Sequence, residues 1–422
     1  MRFYFLFFLL ILLSLSSCLS GSKKIQRNLI FFHPDGMSLS HWDLARIITV
    51  GPDGLSSWDK MPHIAVYKPH LKENLVASSQ AGATVHAYGE KVNYHSFGTK
   101  NKKAFKKASL LKEAQQKGFK TGLLQSGFLM EPGTAVFASH SLSRKNFSHI
   151  TKQLIYSNVS ILLGGGEKYL LPEGVKGHFG LGVRKDGKNL IEEAKKENYL
   201  VIYTLEELKN IPQSAKKVLG IFAYDNTYND ETEEVLLKKG LPAYHKTAPS
   251  IAQMSKYALK FLTRFGENFF LVVEEEGTDN FSNKNNAEAL FEAMKRSLKA
   301  IELFRNFIKK NKNTLFLVAS DSNASSPALI DRFSSKTLFK STTLLPKKTK
   351  NGSPLDRKSN GLPFLSQPDK ENLKLPFAIA WPTKMDTGTG LVIKSEGWKA
   401  HKIQGTLDNT KVYDIIRQSL FE

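Results

Sequence analysis

One cysteine, Cys18, stands in 422 residues, so no disulfide can close within the chain. Acidic side chains are scarce beside basic ones, 39 against 60, and the formal net charge is +21. Such a surplus draws anions, whether nucleic acid, phospholipid headgroups or phosphorylated substrates. No RNA- or DNA-reading module is recognisable and the lysines are spread along the chain. The expected partner is therefore an anionic surface or substrate in preference to nucleic acid. Solenoid-type repeats are also missing. What is present is ordinary globular material, 41% hydrophobic and 23% charged. Its length suits one large α/β domain or two smaller ones.

Residues 1–20 read as a targeting segment, with Arg2 before an apolar stretch over 3–13 and small residues after it. Leu15-Ser16-Ser17-Cys18 resembles the lipobox of bacterial lipoproteins, which makes residues 1–17 a signal peptide and Cys18 a lipid attachment point. A single transmembrane anchor or an ordinary signal peptide is the alternative. On the lipoprotein reading, residues 18–27 tether a body that begins near residue 28. That body sits at the bacterial cell envelope, membrane-bound through Cys18, facing the periplasm or the exterior.

From there short β-like runs alternate with longer amphipathic stretches. Strands are expected at 28–32, 121–125, 160–163, 218–222, 269–273 and 314–319. A helix is expected with Pro249 in its first turn, apolar at Ile251, Met254, Ala258, Phe261 and Leu262, and ended by Gly266. Another starts near Asn286 and buries Leu290, Phe291, Met294, Leu298, Ile301 and Phe304. Strands alternating with such helices predict a three-layer α/β/α sandwich around a mostly parallel sheet. Residues 331–376 are rich in Lys, Ser, Pro and Asn and read as a long, solvated surface insertion. The Lys-rich segments 102–107 and 347–350 read as solvated faces.

Two stretches carry chemistry. The run Asn28-Leu29-Ile30-Phe31-Phe32 stops at Pro34, and Asp35 follows in a Gly-containing turn. Open α/β sheets bind ligands beyond the carboxyl ends of their strands, so a carboxylate there reaches a metal or a phosphate. An Asp-Gly turn with no further role explains the same letters. In the second stretch, Ser78-Ser79 precedes Ala81, Gly82 and Ala83, then Thr84, Val85 and Ala87. That pattern suits a helix beginning near Ser79 and held close to another backbone by small side chains. A hydroxyl at such an N-terminus sits where a phosphoryl group is stabilised, although a plain Ser cap reads alike.

Together with later motifs these stretches resemble the alkaline phosphatase family. The likeness runs through Ser78-Ser79-Gln80-Ala81-Gly82-Ala83-Thr84-Val85, Thr121-Gly122-Leu123, Gly133-Thr134-Ala135 and His140 with Arg144 four residues on. It continues through Leu163-Gly164-Gly165-Gly166, Leu219-Gly220-Ile221-Phe222-Ala223, Pro249-Ser250-Ile251 and Phe269-Phe270-Leu271-Val272-Val273-Glu274 to Leu407-Asp408-Asn409-Thr410. The resemblance implies a metal-dependent phosphomonoesterase working through a phosphoserine. It places the nucleophile at Ser79, the phosphate-clamping arginine at Arg144 and the carboxylate shared between two metals at Asp35. It puts the magnesium ligand at Glu274 and one zinc-site aspartate at each of Asp279 and Asp321. A homodimer also belongs to this expectation.

The departures are as informative. Where the family supplies three zinc-binding histidines, this chain has Asn283, Ser322 and Asp386, and its magnesium-site threonine matches Gly133, two residues after Glu131. An all-oxygen set of Asp35, Glu274, Asp279, Asp321 and Asp386 suits magnesium, manganese or calcium better than zinc. These carboxylates require a bound cation or must be partly protonated. The alternative is a catalytically degenerate homologue that binds a phosphorylated or anionic ligand. His33, His41, His63, His86 and His140 read as satisfied core or surface histidines, and at least one of Glu275 and Glu276 as solvated.

Overall fold

The computed structural model describes residues 27–334, 337–388 and 390–422; Cys18 and the segment before it lie outside them. Ten strands form the main sheet. They are β1 (Asn28–Pro34), β2 (His63–Lys68), β3 (Lys120–Phe128), β4 (Ile161–Gly165) and β5 (Tyr199–Ile202). The remainder are β6 (Lys217–Ile221), β7 (Phe269–Glu275), β8 (Thr314–Ala319), β9 (Leu391–Gly397) and β10 (Gly405–Asp408). Their spatial order is β10-β2-β9-β8-β1-β7-β3-β4-β6-β5. Only β9 runs against its neighbours, β8 and β2. The sheet is therefore mostly parallel, as expected.

All seven residues of β1 are buried, as a parallel strand covered on both faces must be. Its side chains alternate between two cores. Ile30 and Phe32 pack with Met254 and Leu262 of helix Ile251–Thr263 and with Leu290, Met294 and Phe304 of helix Ala287–Lys310. Leu29 and Phe31 pack on the opposite side with Ala83 and Ala87 of helix Ser79–Tyr88 and with Val412 and Ile416 of helix Thr410–Phe421. Helix, sheet and helix make the three layers.

The six expected strands are all present, several of them longer than the apolar runs that signalled them. β3 continues through Ser126-Gly127-Phe128, and β1 through His33-Pro34. The strands β2, β5, β9 and β10 escaped the sequence reading. In β2, Ala65 and Tyr67 are buried while Ile64 and Val66 are about half exposed, so apolar residues stand on both faces and no alternation marks the buried one. The helix expected to contain Pro249 starts two residues later. Ser250 caps it, its hydroxyl accepting from the Gln253 amide while the Gln253 side chain accepts from the Ser250 amide.

Segment 331–376 is more than solvated surface. Phe339, Leu345 and Leu355 form a small core with Ala378. The Asp356 carboxylate accepts from the Ala287 amide at the start of the long helix (2.8 Å) and from the Trp381 indole (3.3 Å). Composition concealed this because the apolar anchors are few and far apart.

Candidate active site

The site grows out of the carboxyl ends of β3, β7, β1 and β8. Gln125, Glu274 and His33 are register partners across β3, β7 and β1. They continue the face that carries Leu123, Val272 and Phe31. The Gln125 amide donates to Glu274 Oε2. Asp35 lies one residue beyond β1, its amide donating to the Glu275 carbonyl and its carbonyl accepting from the Thr278 hydroxyl. The turn requires Gly36. Its φ is +70°, and a Cβ there would meet Ala324 Cβ at 2.5 Å and Asp279 Oδ1 at 3.0 Å. Asp279 sits in the first turn of helix Gly277–Asn283, and Asp321 follows β8 by two residues. Asp35, Glu274, Asp279 and Asp321 are thus brought together by three chain segments, the ends of β1 and β8 and the junction of β7 with the helix after it.

Ser79 opens helix Ser79–Tyr88, with Ser78 as its extended N-cap. All ten helical residues are buried, which only small side chains near its start permit. A Cβ on Gly82 would stand 2.2 Å from the Asp321 carbonyl oxygen. The close backbone approach expected from the Ala-Gly-Ala run is therefore to the loop that carries Asp321. Ser79, Arg144 and Asp386 line one cavity of about 430 Å³, along with Gln80, Tyr94, His95 and Lys145. A larger cavity of about 860 Å³ adjoins it, sharing Tyr94, His95 and Leu142 and adding Asn93, Thr99 and Lys102. Arg144 Nη2 donates to Glu131 Oε2 at 2.8 Å. The Arg144 side chain is 39% exposed, while that of Glu131 is 4% exposed.

Burial is the main force on the carboxyls of this site. It pushes Glu274, Asp279 and Asp321 well above the usual carboxylate range, and the nearby charge of Asp35 adds to the shift. Glu276 goes the same way through burial and then Glu131. Burial takes Glu131 to about 7 despite Arg144, and Asp386 to about 7 with help from Asp35. Burial works against the Arg144 charge, but Glu131, Glu276, Asp279 and Asp35 outweigh it and hold the guanidinium protonated.

The positions without imidazole have local partners. Asn283 Nδ2 donates to both Asp279 oxygens (3.1 and 3.0 Å), and its Oδ1 accepts from the Ser325 hydroxyl. The Ser322 hydroxyl donates to Asp35 Oδ1 at 3.2 Å. Asp386 pairs with Ala324 in an isolated bridge. Gly133 gives its space to Glu274, whose Oε1 would lie 1.8 Å from a Cβ at that position. Asp35 Oδ2, Glu274 Oε1, Glu276 Oε2, both Asp321 oxygens and Asp386 Oδ1 are buried and accept no hydrogen bond from any described residue. Anionic oxygens left in that condition fit divalent cations.

Three residues of the site were not selected from the sequence. Glu131 holds Arg144. From the sequence at least one of Glu275 and Glu276 is expected in solvent, but Glu276 is 2% exposed, and one of its oxygens lies within 4.8 Å of an oxygen each of Asp35 and Glu274. Glu275 is buried as well, turned to the other face, where it accepts from the Ser126 and Tyr244 hydroxyls (2.7 Å each). Because β7 runs to Glu275, the acidic run is strand and helix start, and neither glutamate reaches solvent. His33, expected to be a satisfied core residue, has no hydrogen bond at either ring nitrogen among the described residues, and His86 likewise. His41 meets the expectation, bonded to the Ser38 and Ser282 hydroxyls. His33 stands two positions before Asp35, a signal that needed only the knowledge that β1 continues past Phe32.

The alkaline phosphatase family profile matches residues 26–421. Alkaline phosphatase 4 of Bacillus subtilis is 27% identical over 318 residues, covering 72% of this chain, which spans 63% of that relative's length. Alkaline phosphatase of Escherichia coli is 26% identical over 348 residues, 72% of this chain and 71% of its own. Among solved structures, the alkaline phosphatase of the Antarctic bacterium TAB5 superposes with a TM-score of 0.72 at 20% identity, over 94% of this chain and 99% of that one. The Thermus thermophilus enzyme gives 0.73 at 20% identity, over 94% and 91%. A histidine-to-aspartate variant of the TAB5 enzyme holds magnesium in its M3 site.

Proposed function

This chain belongs to the alkaline phosphatase family, and from that premise we propose that it is a phosphomonoesterase acting through a phosphoserine at Ser79. The observation that carries the reading is the shared cavity. Ser79 at a helix N-terminus and the Arg144 guanidinium line one cleft with Asp386, beside the buried carboxylates.

In this reading the phosphoryl group lies between Ser79 and Arg144. Arg144 grips two nonbridging oxygens in its planar fork, and Glu131 holds the guanidinium in place at 2.8 Å. The unpaired amides of the first helical turn oppose charge on the same oxygens. Ser79 Oγ forms a bond to phosphorus as the ester oxygen departs, and water then cleaves the phosphoserine. Divalent cations, which Asp35, Glu274, Asp279, Asp321 and Asp386 would hold, supply charge neutralisation and lower the pKa of the hydroxyl and of water. The adjoining cavity, with Tyr94, His95 and Lys102, gives the leaving group room, and the surplus of basic residues steers an anionic ester toward the cleft.

A second reading, an anion-binding homologue without turnover, has one observation in its favour. Asn283 satisfies both oxygens of Asp279 with its own amide, which removes that carboxylate's need for a cation. Hydrolysis of an aryl phosphate decides between them, with magnesium, manganese, zinc and calcium each returned to chelator-stripped protein. Ser79→Ala should cut a metal-restored rate by roughly 10³-fold or more. A folded protein with no Ser79-dependent rate in any metal would leave the binding reading standing.

A further inference from the structure

We infer that His33 is an imidazole ligand to a divalent cation held with Glu274 and Asp321. It brings a nitrogen from β1 to a centre whose zinc-ligand positions lack one. The inference rests on the carboxylates being cation ligands, and goes beyond that reading in naming a nitrogen donor from outside the expected set.

Three observations carry it. First, one ring nitrogen of His33 and one oxygen each from Glu274 and Asp321 lie within 4.8 Å of one another. Contraction around an ion brings such a set to bonding distance. Second, His33 is 0% exposed and neither ring nitrogen hydrogen-bonds to any group among the described residues. An imidazole has one donor and one acceptor to satisfy, so a buried packing role would be filled better by Leu or Phe. Its ring rests edge-on against Phe31 at 4.1 Å, which fixes its plane. Third, the other members of the group keep unpartnered oxygens, although Glu274 Oε2 accepts from Gln125. Glu274 Oε1 and both Asp321 oxygens have no hydrogen-bond donor.

Sheet geometry explains the meeting. His33 and Glu274 are register partners on adjacent parallel strands, so their side chains leave the same face side by side. Asp321 comes from the loop after β8, the strand on the other flank of β1. Glu274 belongs as well to a second group, with Asp35 and Glu276. The two groups form neighbouring positions joined at Glu274, one containing a nitrogen and one built from oxygen alone. Imidazole favours zinc and other late transition ions, and the all-oxygen position suits magnesium or manganese; Mn²⁺ accepts either kind of donor and so reports which is present. The competing nitrogen donor is His86, whose ring centroid is 5.2 Å from that of His33.

The test uses metal-stripped full-length protein and Mn²⁺ alone, with binding followed by calorimetry and the bound ion by pulsed electron paramagnetic resonance. Wild type should show the nitrogen coupling of a directly bound imidazole. The coupling should survive in a His86→Gln/His95→Gln double variant and vanish in His33→Gln, with Mn²⁺ affinity lowered by roughly tenfold or more. Affinity for Mg²⁺ should change less. If His33→Gln does not fold, the double variant decides, because His41 is already bonded at both nitrogens. Bound Mn²⁺ without nitrogen coupling, or a coupling that persists in folded His33→Gln, would overturn the inference and leave the phosphatase reading intact. Wild type that binds no Mn²⁺ would overturn the inference together with the carboxylate reading beneath it.

Discussion

Gly133 and Glu274 compete for one volume, and the glycine yields it. A methyl group at Gly133 would stand 1.8 Å from Glu274 Oε1 and 2.3 Å from its carboxyl carbon. The Gly133 backbone is helical and admits alanine, so Gly133→Ala acts through Glu274 rather than through strain. We expect Gly133→Ala to fold, to lose Mg²⁺ or Mn²⁺ affinity by roughly 10- to 100-fold in a calorimetric titration, and to lose activity with it. Unchanged affinity would remove Glu274 from the ligand set. The letters at 133 showed a missing threonine. They could not show that the carboxylate of a residue 141 positions later fills its place, since that depends on how helix Pro132–Ala135 meets the end of β7.

In the proposed reaction helix Ser79–Tyr88 sets the position of the Ser79 hydroxyl. Its small residues were legible as a close-approach device, and Gly82 meets the backbone of Asp321. The partner was not legible, because it arrives from 239 residues away. Gly82→Ala would push the helix off the Asp321 loop, shifting Ser79 relative to Arg144. A displacement of about 1 Å in a reacting group costs on the order of 10²-fold in rate. The expected result is a kcat lowered by about that factor with KM much less affected and the circular dichroism spectrum retained. Wild-type kinetics in a folded variant would show that the helix has slack. The end of β1 teaches a similar lesson. Expecting the strand to stop at Phe32 hid His33, because a side chain two residues before Asp35 shares its face only while the strand persists.

At the scale of the molecule, seven carboxyls (Asp35, Glu131, Glu274, Glu276, Asp279, Asp321 and Asp386) share the site with one guanidinium in a protein of net charge +21. Glu131 and Asp386 keep their protons to about pH 7 in the fold, and give them up near pH 4 when unfolded. Between those values the folded state binds more protons, so stability falls as pH rises, by at most about 1.4 kcal/mol per pH unit for each group. Thermal midpoints in chelator should therefore drop from pH 5 to pH 8. Saturating Mg²⁺ should remove most of that drop, since a bound cation stabilises the ionised forms. Parallel curves with and without metal would contradict a cation among these carboxylates.

The sequence by itself determined the α/β layering, because apolar runs of strand length separated by amphipathic stretches have few other ways to bury themselves. It also marked Ser79, Arg144 and the principal carboxylates, through their place at strand ends and helix starts and through resemblance. Tertiary structure decided which acidic groups lose solvent, so that Glu275 and Glu276 are both buried on different faces. It decided that Asn283 spends its amide on Asp279, and that His33 stands unpaired beside Glu274 and Asp321. The meeting of His33 with Glu274 follows from register between strands some 240 residues apart, and a local pattern carries no information on that register.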